Sequence, residues 1–218
     1  MKKYLAEIIG TFALVFCGTG AIVINQEAGG VISHIGIAIS FGLIVSSMIY
    51  TVGDISGAHL NPAVTIAFYV AKVFPSKEIL PYILSQGVGA FLASITLKFL
   101  FPANNDLGST LPSGLPMQSF VLEVILTFLL MFVILHVAKG SKEQGMFAGV
   151  AVGGMVMLEA IFAGPICGAS MNPIRSLAPA LTSGHLEHIW IYITAPIIGA
   201  ILASIVWLLM GKNNGVTN

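Results

Sequence analysis

The 218-residue chain is 56% hydrophobic and only 8% charged, with no formal net charge and a mean hydropathy of +0.96. Ordinary globular proteins are roughly 25% charged. The composition therefore excludes a soluble globular domain, and the charge balance excludes a basic nucleic-acid binder; the chain reads as an integral membrane protein.

Six apolar runs, at Tyr4 to Ile24, His34 to Val52, Ile79 to Phe101, Ser119 to Ala138, Met146 to Gly164 and Ile189 to Met210, each approach the ~20 residues that a helix needs to cross a bilayer. The first follows Lys2 and Lys3 without a convincing small-residue cleavage site, so it is expected to be a retained span and not a signal peptide. It holds Glu7 in AEIIGTFALVF. The fourth run holds Glu123 in LEVILTFLLMF, with Thr and Phe following at the same distances, so the chain repeats itself. An isolated acid is costly in a bilayer and usually faces the protein interior. Each is expected to accept hydrogen bonds from a nearby irregular backbone stretch.

Those irregular stretches come after the second and fifth runs: SGAHLNPA at Ser56 to Ala63, and CGASMNPI at Cys167 to Ile174. In each, a glycine-containing turn leads into Asn-Pro. Asn is a favoured N-cap and Pro suits the first helical position, so Asn61 and Asn172 each start a short helix, reaching about Ala71 and Leu181. A helix start inside a membrane leaves its first four N–H groups without partners unless protein or a watery cavity supplies them. Two such starts imply a lined cavity facing the positive ends of both short helices, a centre hostile to cations.

The third and sixth runs also correspond, Tyr82, Gly89, Ala90, Ala93 and Ser94 recurring as Tyr192, Gly199, Ala200, Ala203 and Ser204. Small residues at these spacings permit close packing within or between subunits. Three spans per half reverse direction, so the halves, about 1–101 and 119–212, are inverted repeats within one membrane domain covering 1–218. The 102–118 segment joins them on the outer face, and Lys139 to Gly145 is a plain turn inside. Six spans with both termini on one side gather Lys2, Lys3, Lys72, Lys77, Lys139, Lys142 and Lys212 there, leaving Lys98 and Arg175 elsewhere; the positive-inside rule makes both termini cytoplasmic.

Cys17 and Cys167 suggest no disulfide framework and read as small apolar residues. His59 suits a structural hydrogen bond better than a pH gate. Glu159 neighbours Ala160 on the fifth run, and because helical neighbours point about 100° apart the two cannot both face a central pore; Glu159 is expected to bond backbone or face a subunit contact. No spacing suggests a nucleophile with its base or a metal-ligand cluster, so neither catalysis nor a cofactor is expected.

Two Asn-Pro boxes in inverted three-span repeats, an acid in the first span of each half, and Arg175 directly after the second box together resemble the aquaporin and glycerol-facilitator superfamily. SGAHLNPAVTIAF and GPICGASMNPIRSLAPAL are most similar to its plant nodulin-like channels and their bacterial relatives. The resemblance implies an all-α membrane fold of six transmembrane helices plus two re-entrant half-helices. It implies that Asn61, Pro62, Ala63 and Asn172, Pro173, Ile174 form the pore boxes, Ile174 departing from the usual Ala with a slight change expected at the central constriction. It also implies an outer selectivity filter of Phe41, Ala160, Ala169 and Arg175, with Glu7 and Glu123 as structural buried acids. Ala160 stands where water-selective members have His. The implied activity is passage of water and small uncharged solutes such as glycerol, urea or metalloid acids, with protons and ions excluded, by a homotetramer in a bacterial or archaeal plasma membrane. The rival is a secondary transporter, which inverted repeats with broken helices also describe.

Overall fold

The computed structural model describes residues 1–211; Lys212 and the polar tail to Asn218 lie outside the described residues. Among the described residues the chain is all-helical. The first half holds α1 (Lys2–Glu27), α2 (Ser33–Ser56), the short α3 (Pro62–Val70) and α4 (Ile79–Leu100), the last preceded by a 3-10 turn at Ser76–Glu78. The second half holds α5 (Pro116–Lys139), the one-turn α6 (Lys142–Met146), α7 (Ala148–Cys167), the short α8 (Pro173–Ser183) and α9 (Ile189–Leu209). Six of these helices are long and apolar enough to cross a membrane.

The halves meet at glycines. A side-chain carbon on Gly42 of α2 would lie 2.6 Å from the Gly153 carbonyl oxygen of α7, and one on Gly153 would strike the Gly42 carbonyl, so the two helix backbones touch where they cross. Gly89 of α4 lies in the same way against Ile8 of α1, and its counterpart Gly199 of α9 against Val124 of α5. The small-residue faces of α4 and α9 thus pack within the chain, which resolves what the sequence left open.

Both α2 and α7 end at a glycine in the left-handed region, Gly57 at φ 88° and Gly168 at φ 81°, whose N–H groups bond back to the carbonyls of Gly53 and Gly164. Only glycine adopts this backbone readily. These caps stop each helix part-way and release the irregular stretches that lead to α3 and α8.

The link between α5 and α7 departs from expectation. Lys139 to Gly145 is more than a plain turn: Ser141 and Gln144 form a reciprocal capping box that starts α6. Cys17 is exposed on the outside of α1, whereas Cys167 is buried; both are free thiols.

Candidate functional site

The irregular stretches are built around the two acids. Glu7 is fully buried, and its Oε1 accepts from the His59 N–H at 3.0 Å and the Ser56 hydroxyl at 2.7 Å. Its Oε2 accepts from the Leu60 N–H and from the Gln86 amide, each at 2.8 Å. Glu123, equally buried, accepts from the Ser170 N–H at 2.7 Å and the Met171 N–H at 2.8 Å. These bonds hold a backbone that is unfavourable by itself. Ala58 and Leu60, and likewise Ala169 and Met171, have φ between 42° and 51°, a left-handed conformation costing about 1 to 2 kcal/mol per residue with a side chain.

Glu123 has fewer partners because two of the donors around Glu7 have no equivalent in the second half. Ser56 corresponds to Cys167 and Gln86 to Pro196, and neither replacement offers an equivalent strong donor.

Each stretch ends in an asparagine that caps its short helix. The Asn61 Oδ1 accepts from the Ala63 N–H at 2.9 Å, and the Asn172 Oδ1 accepts from the N–H groups of Ile174 and Arg175 at 3.2 and 3.4 Å. The amide nitrogens cross between halves: Asn61 Nδ2 donates to the Met171 carbonyl at 2.7 Å and Asn172 Nδ2 to the Leu60 carbonyl at 2.9 Å. An amide NH₂ has two donors, so one N–H of each asparagine remains for a molecule between the boxes.

A cavity of about 130 Å³ runs along this junction. Its walls include Asn61, Asn172, Phe41, Ala160, Ala169 and Arg175. Pro62, Ala63, Pro173 and Ile174 are buried but do not line it. The Ile174 side chain approaches α4, its Cδ1 3.9 Å from where a side-chain carbon on Gly87 would sit. In the other half the sizes are exchanged, with Ala63 in a cluster against which Ile197, the counterpart of Gly87, packs.

Arg175 is 3% exposed; its guanidinium lies over the Phe41 ring at 4.8 Å and donates to the Gly108 carbonyl at 3.0 Å. The 102–118 segment, expected only to join the halves, thus supplies a contact to Arg175 through Gly108. A backbone carbonyl has no residue-type signature, so nothing in the sequence marked it.

His59 lines the cavity from the first box, its Nδ1 3.1 Å from the Thr65 hydroxyl and its ring among Phe68, Phe74 and Tyr82. Ala160 lines the cavity and Glu159 does not. Glu159 also departs from expectation. It is 1% exposed within the chain itself, and neither carboxyl oxygen has a hydrogen-bond partner among the described residues.

Residues 1–207 match the sequence profile of the family described as Major intrinsic protein. The chain belongs to the major intrinsic protein family. Nodulin-26 of Glycine max is 47% identical over 95% of this chain and 77% of its own length, and Aquaporin NIP1-1 of Zea mays is 48% identical over 92% and 72%. The aquaglyceroporin from Plasmodium falciparum superposes with a TM-score of 0.86, covering 94% of each chain at 26% identity. The inverted-repeat helical membrane fold expected from the sequence is the fold of this family.

Proposed function

We propose that this chain is a passive channel carrying water and small uncharged solutes through the cavity between its two boxes. The observation that carries the reading is the pair Asn61 and Asn172, each with one N–H left over, beside Arg175 in one cavity wall. A hydroxyl or amide solute recovers there the hydrogen bonds lost on leaving water. A cation meets the positive ends of α3 and α8 and a guanidinium, with nothing to replace its water shell. Phe41, Ala160, Ala169 and Arg175 act as the filter, and the methyl groups at 160 and 169 leave it wide enough for solutes larger than water, such as glycerol.

The kinship with proteins named aquaporin and aquaglyceroporin supports this reading and does not favour a secondary transporter. One membrane domain with repeats about 1–101 and 119–212, both termini cytoplasmic and a homotetrameric assembly complete the proposal. The plant relatives above give no support to a bacterial or archaeal setting. Stopped-flow light scattering on proteoliposomes, with water, glycerol, urea and boric acid, tests the reading: flux linear in concentration and indifferent to ionophores is expected. Saturable or ion-coupled flux would return the transporter.

A further inference from the structure

Part of the segment joining the halves lies against α8 and the end of α7. The Gly108 carbonyl accepts from Arg175, and two residues further on the Thr110 hydroxyl donates to Ser176 Oγ at 2.7 Å. Arg175 and Ser176 are neighbours in the first turn of α8, so one short stretch of chain grips two consecutive residues of the helix that carries the arginine. The Thr110 methyl packs against the start of the second box, where a side-chain carbon on Gly168 would lie 3.0 Å from it. The Ser109 and Ser183 hydroxyls, 3.0 Å apart, add a contact at the far end of α8. Thr110 is 4% exposed and Ser176 is fully buried.

Each hydroxyl has one hydrogen to give, and this fixes the direction of a chain of bonds. Ser170 gives its hydrogen to the Asn172 carbonyl at 3.0 Å, so in the contact between the Ser170 and Ser176 hydroxyls Ser176 is the donor. Thr110 in turn donates to Ser176. The chain runs from Thr110 through Ser176 and Ser170 to the backbone of the box asparagine. The first half has the same device with different parts: the Gln86 amide donates to the Thr65 hydroxyl at 3.0 Å, and Thr65 donates to the Asn61 carbonyl at 3.0 Å. Thr65 and Ser176 each stand four residues after their asparagine. At the position of Gln86 the second half has Pro196, which has no side-chain donor. Thr110, from outside both repeats, supplies the donor that is missing there.

We propose that Thr110 is a positioning residue for the filter, acting through Ser176 on Arg175. The inference rests on the cavity being a solute channel. With the Thr110 hydroxyl in place the segment is fixed on α8 at both Arg175 and Ser176, so the Gly108 carbonyl stays where the guanidinium needs it and Arg175 stays seated over Phe41. Without that hydroxyl one of the two grips is gone and the buried Ser176 oxygen loses its donor. Arg175 then yields more readily, which favours glycerol over water because the larger molecule must displace it further.

The test is the ratio of glycerol to water flux in proteoliposomes. Thr110→Val keeps the shape and the methyl against Gly168 but removes the donor, and it raises the ratio by about two- to thirteenfold, the span of one hydrogen bond's net worth. Thr110→Ser keeps the donor and holds the ratio at the parent's value. Ser176→Ala removes the acceptor and raises the ratio as well, and adding Thr110→Val to it raises the ratio no further, as befits two ends of one interaction. A merely structural Thr110 would instead lower the thermal midpoint in detergent and both fluxes together, with the ratio unchanged. An unchanged ratio in Thr110→Val or, should that variant fail to fold, in Ser176→Ala overturns the positioning role alone, as does a ratio in Thr110→Ser as high as in Thr110→Val. A parent with no flux above protein-free vesicles overturns the channel reading and the positioning role with it.

Discussion

Arg175 and Phe41 come from different halves of the chain and meet face on, the guanidinium carbon 4.8 Å from the ring centre. A cation over an aromatic face gains about 0.5 to 2 kcal/mol, so the ring steadies the charge and, on the proposed reading, bounds the filter. Phe41→Ala removes the wall and the seat together. The glycerol-to-water flux ratio is expected to rise by about two- to thirtyfold, the range set by that energy; an unchanged ratio in stopped-flow measurements would show that Phe41 does not bound the path.

Ala160→His acts in the opposite sense. The imidazole fills space beside the cavity wall and adds a polar group that water can use. Glycerol or boric-acid flux should drop by about tenfold more than water flux, near the low end of what one added group does in a tight pocket. Equal losses for all solutes would move the filter elsewhere.

On the proposed reading the asparagines carry both fold and path. Asn172→Leu and Asn61→Leu each remove an N-cap, which costs about 0.5 to 2 kcal/mol, and a bond between halves of about 1 kcal/mol. Both variants should show a lower thermal midpoint in detergent and reduced flux of water and glycerol. If both matched the parent in stability and permeability, the boxes could not be the centre of the channel.

Glu159 is a buried acid with no hydrogen-bond partner among the described residues, one residue from the cavity wall. Its counterpart in the first half is Met48. An apolar side chain of similar size escapes the penalty of an unpaired buried polar group, so Glu159→Leu should stabilise the chain by about 1 to 3 kcal/mol. Thermal unfolding in detergent checks this, and a lower midpoint for the variant refutes it.

How much of this was legible before the structure depended on whether the signal resided in side chains. The boxes could be read because Asn-Pro after a glycine turn is a helix start, and the acids because Glu7 and Glu123 sit in matched contexts. The capping box of α6 is equally legible in Ser141 and Gln144, three residues apart. Gly108 was not readable, since its contribution is a carbonyl aimed by the fold. Nor was the setting of Ile174, which depends on a helix of the other half that only three-dimensional packing brings alongside. Glu159 was doubtful because a helical register tells which way a residue points but not whether a partner awaits it.

The exchange of sizes between Ile174 beside Gly87 and Ala63 beside the Ile197 cluster bears on ancestry. A chain assembled from two copies of the first half would set Ala against Gly at both contacts and leave two hollows; one assembled from two copies of the second would crowd Ile against Ile twice. Whatever duplication produced the repeats, each half has since become the mould for the other. A change of size at any of these four positions alters the fit at its opposite number.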